Sequence, residues 1–345
     1  MTRNVTIIYI FLLQSLTTMK LVIDNPILYN ILKILANSNM PLGAKSISEK
    51  LQERGFNVKK DTVQYYLRML DEVGLTRKIG LAGRIISEKG FEELRKGMVR
   101  ERIGSFIELR EEYAYNANFD PWKGKGLVSL NIGILPEEEL EEALKLIKRC
   151  IDRKLAMSPF VKIYEGDNIK IRIPERKVGI GLVSTSVIDA ALIGHRISST
   201  PTFAGILQYI DYHPIRFVHA ISYYGSTLDP VDLFIKSGMC SVKDAVENGH
   251  GTIPADVREI PLILRKRAVN VLKMLEKIGI NGAVYVSGAE NDALGIPVSN
   301  YRSGIVVIAG STPLAYMLEK GLDVEIRILG SYERIEELEF IENLV

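Results

Sequence analysis

The sequence predicts a mixed α/β protein: an N-terminal winged helix-turn-helix followed by an α/β regulatory domain built from two duplicated halves. Three observations predict this. Residues 25–96 carry three helical apolar stripes and then a hairpin pattern. From residue 126 strands and helices alternate. Short strings recur in the same order along that second region. A chain of 345 residues is long enough for two or three domains with real cores.

Residues 1–18 are expected to be an extension outside the fold. The apolar run from Val5 to Leu13 is too short to span a bilayer, and Met19 is the better start. Residues 20–97 form the first domain. "NPILYNILKILANS" places Leu28, Ile31, Leu32 and Leu35 on one helical face, with Asn25 as cap and Pro26 at the first helical position. "AKSISEKLQERG" gives a second helix stopped at Gly55. "KKDTVQYYLRMLDEVGL" gives a third, with Val63, Leu67 and Leu70 inward and Lys59 standing where a Ser or Thr cap is usual. "TRKIGLAGRIISEKGFEEL" reads as strand, turn, strand, helix.

In a winged helix the third helix enters the major groove. Its polar face here holds Lys60, Gln64, Tyr65 and Arg68. Gln64 and Arg68 are the types that read adenine and guanine edges, while Lys60 and the wing residues Arg77, Lys78 and Arg84 suit phosphates. Charge agrees: residues 20–100 hold 15 Lys/Arg against 9 Asp/Glu, and residues 101–345 hold 28 against 33. A basic N-terminal segment on an acidic body fits a double-stranded DNA partner. One winged helix reads few base pairs, so a homodimer on a palindrome is expected.

Residues 98–125 are expected to be a linker, and 126–345 an effector-binding and dimerisation domain with halves at about 126–250 and 251–345. The strands expected first are "GLVSLNIGIL", "KIRIP" and "VGIGLVSTS", with a helix over 136–154. "ILQYI" and "RFVHAISYY" follow as a strand pair. The second half gives a helix over 260–279 and strands in "AVYVSG", "GIVVIAG" and "DVEIRIL". The repeat is read from three pairs of strings: "GSTLDP" (225–230) with "GSTP" (310–313), "ALIGHRIS" (191–198) with "ALGIPVS" (293–299), and "GLVSTS" with "AVYVSG".

Duplicated halves bring equivalent loops to one cleft. Each Gly-Ser-Thr stands where a strand gives way to a helix, and helix N-termini attract anions. The expected effector site therefore comprises Ser184, Thr185, Ser186, Tyr224, Gly225, Ser226, Thr227, Gly310, Ser311 and Thr312, with Arg258 as the assisting cation. Asp229 is expected to cap its own helix rather than meet an anion. Two cysteines make no disulfide framework and fit a reduced, cytoplasmic setting, and the four histidines show no metal-ligand spacing. No cofactor, metal or membrane partner is expected.

The first region resembles archaeal winged-helix regulators. The strings "FDPWKGKGLVSLNIGIL", "GIGLVSTSVIDAAL", "YYGSTLDPVDLFI", "VREIP", "ALGIPV" and "AGSTPLAYMLEKG" resemble the regulatory domain of the archaeal nitrogen-regulation repressors (NrpR). That resemblance implies an operator-binding dimer released from DNA by 2-oxoglutarate. Residues 182–185 and 311–312 depart from the family pattern, which leaves a regulator with an unrelated effector open. An enzyme acting on a small carboxylate is the remaining alternative. Against it, the chain has no GxSxG, no P-loop, no complete GxGxxG and no Cys/His/Asp cluster.

Overall fold

A computed structural model describes residues 25–38, 40–96, 102–166 and 173–345. The expected extension over 1–18 lies outside the described residues, as does most of the expected strand "KIRIP". The chain divides into two compact units, one ending at Ile103 and the other running from Gly104 to Val345.

The first unit holds α1 (Pro26–Ala36), α2 (Ala44–Glu53), α3 (Lys60–Glu72), β1 (Thr76–Ile79), β2 (Gly83–Ile86) and α4 (Glu88–Lys96). The Asn25 side chain accepts from the amide of Ile27 at 2.9 Å, so the expected cap forms. Lys59 offers α3 no side-chain cap. Leu28, Ile31, Leu32, Leu35, Ile47, Leu51, Val63, Leu67 and Leu70 close into one core with Leu75 and Ile86. The wing is antiparallel, Thr76 opposite Ile86 and Ile79 opposite Gly83. Leu42 and Arg84 add a third short pairing, each amide bonding the other's carbonyl at 2.9 Å. Gly83 is required there: at φ 127° its missing Cβ would fall 2.3 Å from the Leu42 carbonyl.

The second unit begins with α5 (Ser105–Asn116), inside the segment expected as linker. Buried Ala114, Ala117 and Phe119 tie this segment to the unit. Then come β3 (Leu127–Pro136), α6 (Leu140–Asp152), β4 (Phe160–Tyr164), β5 (Lys177–Val183) and α7 (Ser186–Gly194). β6 (Thr200–Ile210), β7 (His213–Ser222), α8 (Pro230–Lys236) and α9 (Val242–Asn248) follow. The second half is β8 (Gly251–Pro261), α10 (Arg265–Lys277), β9 (Ala283–Val286), β10 (Asp292–Ala293), β11 (Ile296–Pro297), β12 (Arg302–Ile308), α11 (Thr312–Glu319), β13 (Glu325–Arg334) and β14 (Glu339–Phe340).

The duplication is real but its register differs from the one expected. Pro136 corresponds to Pro261, Leu140 to Arg265, Lys177 to Arg302 and Thr200 to Glu325, the same interval each time. Gly310, Ser311 and Thr312 therefore correspond to Thr185, Ser186 and Val187, not to residues 225–227. The latter sit in a turn after β7, in the stretch between Ile210 and Gly251 that has no counterpart. Residues 191–194 are helical whereas 293–297 form the β10–β11 hairpin, and β5 corresponds to β12 rather than β9. Short strings of Gly, Ser and Thr recur wherever a strand turns into a helix, so they do not identify equivalent positions.

The two sheets have orders β13-β3-β5-β4-β14 and β7-β6-β8-β12-β9, and every pairing is antiparallel. The last repeated strand of each half crosses over. β6 follows the first half's elements yet pairs with β8, and β13 follows the second half's yet pairs with β3. One continuous core joins both sheets.

Candidate functional site

On the first unit, Lys60, Gln64, Tyr65 and Arg68 are exposed on α3, opposite the buried Val63, Leu67 and Leu70. Arg77 and Lys78 are exposed on β1. Arg84 is placed differently. Its Nε donates to Asp71 Oδ2 at 2.7 Å, and Thr76 donates to the other Asp71 oxygen at 2.6 Å. That guanidinium ties the wing to the end of α3 and is not a free phosphate ligand. The wing tip carries a wholly exposed Leu81.

In the second unit α7 and α11 start side by side at the junction of the halves. Ser184, Thr185, Gly310 and Ser311 all line one small polar cavity there, with Arg110 of α5, Asn131 of β3 and Asp256 of β8. Asn131 and Asp256 are themselves equivalent positions of the two halves. The cavity measures about 10 Å3, room for one water molecule. A Cβ on Gly310 would meet the Val183 carbonyl at 2.3 Å, so the glycine lets α11 start against the end of β5.

Arg110 is the hub. Its Nη1 donates to Thr185 Oγ1 at 3.0 Å and to Asp256 Oδ2 at 3.2 Å, and its Nη2 lies 3.8 Å from Asp229 Oδ2. It also lies over the Tyr223 ring, 4.7 Å from the centroid. Tyr223 donates to Asp256 Oδ1, and Thr185 donates to Asp256 Oδ2 at 2.9 Å. Asp229 caps α8 as expected, through Val231 at 2.9 Å. One layer deeper, Arg258 is wholly buried, its Nε 3.1 Å from Asp189 Oδ1 and its Nη2 3.6 Å from Asp256 Oδ2.

Two arginines and three aspartates thus share a buried junction. Burial pushes the Asp189 and Asp229 carboxyls up, with neighbouring arginines pulling the other way. Burial also drives the Tyr223 phenol well above its ordinary value. For Arg110 burial works against the charge, but Asp256, Tyr223, Asp229 and Asp189 outweigh it and the guanidinium is held firmly protonated. Several buried groups have no hydrogen-bond partner among the described residues, including Ser311 Oγ, Asp189 Oδ2, Asp229 Oδ2 and Arg258 Nη1.

Ser186 and Thr312 are buried in the first helical turns; the Thr312 hydroxyl is spent on the Ala309 carbonyl at 2.7 Å. Tyr224, Gly225, Ser226 and Thr227 do not line the cavity. Tyr224 is 56% exposed, and the Ser226 hydroxyl bonds the Leu228 carbonyl. The residue that turns inward is the preceding Tyr223. Arg110, Tyr223, Asp256 and Asn131 were not expected at the site. Asp256 and Arg258, two apart in the apolar strand "TIPADVREI", were a legible signal: strand period 2 puts both on one buried face. Arg110, inside an apparent connector, gave none.

An outer groove of about 390 Å3, lined by Phe106, Asp229, Leu233, Lys236, Ile326 and Ile328, adjoins the cavity through Ile328. Among the described residues there is no group of three His, Cys, Asp or Glu that could hold a metal, and no helix is long and apolar enough to cross a membrane.

A helix-turn-helix with a wing, ahead of a duplicated α/β unit with a polar chamber at its centre, defines a winged-helix regulator. Comparison with known proteins agrees. Residues 103–340 match the NrpR regulatory domains NRD1 and 2, and residues 29–94 match the ribonuclease R winged-helix domain. The chain belongs to the NrpR family. It is 32% identical over 314 residues to the global nitrogen regulator NrpRI of Methanosarcina mazei, covering 90% of this chain and 97% of that one. It is 33% identical over 316 residues to the global nitrogen regulator NrpR of Methanococcus maripaludis, covering 92% of this chain but 55% of that one, so it spans about half of the longer relative. Its fold is shared with a nitrogen repressor-like protein from Methanococcus jannaschii, at a TM-score of 0.59 and 22% identity over 68% of this chain and 97% of that one.

Proposed function

We propose that the chain is a transcriptional repressor of nitrogen-responsive genes, not an enzyme. It binds a double-stranded DNA operator as a homodimer in the cytoplasm, and a small anionic metabolite of the 2-oxoglutarate class sets its operator affinity. The observation that carries this reading is the convergence of two helix starts on one chamber that also holds Arg110 and the unpartnered Ser311 hydroxyl. Neither a metal nor a cofactor is needed for this role.

A five-carbon dicarboxylate is larger than the chamber, so binding must widen it. A ligand carboxylate competes with Asp256 and Asp229 for Arg110, while Asp256 keeps Tyr223, Thr185 and Arg258 as partners. That exchange moves α5 and α8 relative to the helix starts, and the difference between the two states is the coupling energy, on the order of 1–3 kcal/mol. Calorimetry and operator binding with the full chain provide the test. Millimolar 2-oxoglutarate should give heat and about a 5- to 150-fold change in operator affinity. Neither effect in the wild-type chain sinks this effector.

Asp256 favours a second reading. A carboxylate in the chamber repels an anion unless the ligand also brings a hydrogen-bond donor. An effector with an amino group beside its carboxylate satisfies both Arg110 and Asp256. Heat from an acidic amino acid, with none from 2-oxoglutarate, decides for it.

A further inference from the structure

The buried junction is short of positive charge. Arg110 and Arg258 face Asp189, Asp229 and Asp256. One turn along α8, Lys236 Nζ lies 2.8 Å from Asp232 Oδ2. Ionised together, these groups hold three cations against four carboxylates. An uncompensated charge in a buried setting costs stability, so a further cation beside it is favoured.

The open space that meets this cluster is the outer groove of about 390 Å3, which Asp229, Asp232 and Lys236 all line. The Asp229 side chain is 4% exposed. Neither its Oδ2 nor Asp232 Oδ1 makes a hydrogen bond among the described residues. Arg110 Nη2, at 3.8 Å, stands beyond hydrogen-bond reach of Asp229 Oδ2. Asp229 and Asp232 are three residues apart at the start of α8, hence on one face of it. The remaining walls are hydrocarbon, from Phe106, Leu228, Leu233, Ile326 and Ile328. The helix start opposes a cation, but its half charge is outweighed by two full carboxylates.

We propose that the outer groove binds an aliphatic amine, with its ammonium on Asp229 and Asp232 and its hydrocarbon body along Phe106, Leu233 and Ile326. An ammonium carries three donors, enough for both open oxygens, and leaves Asp232 Oδ2 to Lys236. It also supplies the one positive charge that the junction lacks. A hard metal ion is poorly served, because beyond the two carboxylates the walls offer it no further oxygen side chain. The volume is that of a small-molecule site rather than of a macromolecular surface. The amine site is distinct from the chamber's anion site and does not depend on the effector reading.

The test is calorimetry on the full chain with n-hexylamine, hexan-1-ol and n-propylamine as probes. Hexylamine at millimolar concentration should give saturable heat. Hexan-1-ol has the same body without the charge, and propylamine the charge with a shorter body. Each should bind at least about 10-fold more weakly than hexylamine. Asp232→Asn and Leu233→Lys should each weaken hexylamine at least about 10-fold, the first by removing a carboxylate, the second by placing a rival cation on the groove wall. Leu233 is an exposed side chain, so Leu233→Lys should keep the wild-type circular dichroism even where Asp232→Asn does not. Hexan-1-ol that binds as tightly as hexylamine makes the groove an apolar slot and overturns the proposal. Hexylamine that gives no heat, or that binds both variants as tightly as the wild type, overturns it equally. A chain that answers 2-oxoglutarate but not hexylamine keeps the effector reading and loses this one.

Discussion

At Arg110 one side chain holds three helical or strand elements together through Thr185, Asp256 and Asp229. Arg110→Ala leaves those carboxylates buried without their cation, and should cost on the order of 3–5 kcal/mol, read from urea unfolding of the full chain. Gly310→Val should also destabilise, by about 1–3 kcal/mol, since the new side chain meets the Val183 backbone. Gly225→Ala meets nothing within 4 Å and should leave the unfolding midpoint unchanged. The Asp229 carboxyl offers a pH test. Burial lifts it above the ordinary 3.8 it has when unfolded. Its contribution is therefore full below 3.8 and is lost as the pH rises through the folded value. Asp229→Asn keeps an α8 cap but removes that titration, so its stability should fall less steeply above pH 3.8 than the wild type's. Equal slopes in a pH series of unfolding curves would show the carboxyl already ionised there. Residues at this scale were only partly legible. Ser184, Thr185, Gly310 and Ser311 could be placed because strand ends and helix starts have residue signatures. Arg110 and Tyr223 could not, because which side chain turns inward is fixed by packing from distant elements.

The elements of the first unit were legible almost throughout, since helix caps, 3.6-residue stripes and a hairpin turn are local. Gln64→Ala or Arg68→Ala on α3 should relax sequence preference at a cost of about 1–3 kcal/mol on the cognate site, measured by titration against operator variants. Lys78→Ala should weaken all sequences alike and reduce the salt slope by about one. Arg84→Ala should behave otherwise: with Asp71 left only its Thr76 bond and no cation, the loss should appear in the melting of the wing rather than in the salt slope. In the second unit many strands and helices were also readable, but β4, β8, α7 and α9 were not, and nor were the equivalences of the halves. Matching short strings aligned turns of similar composition, whereas the order of strand, turn and helix carries the true register.

At the scale of the whole regulatory unit, the crossing of β6 and β13 binds the halves more tightly than a shared surface would. Neither half has its full sheet without the other's strand. Amides in β6 and β13 should therefore exchange hydrogen with the same opening free energy, and the unit should unfold in one transition. Two separated transitions within residues 104–345 would contradict this. The crossing also constrains how a ligand can act. Two lobes joined by a strip of chain open like a clam, pivoting at the joint and exposing their inner walls. These halves instead trade strands, so drawing them apart would break the β6–β8 and β13–β3 pairings. A molecule entering between the starts of α7 and α11 should therefore shift the layers packed over them, a shear rather than a hinge. Such a shift would carry the outer edges of the unit with it while both sheets keep their pairings.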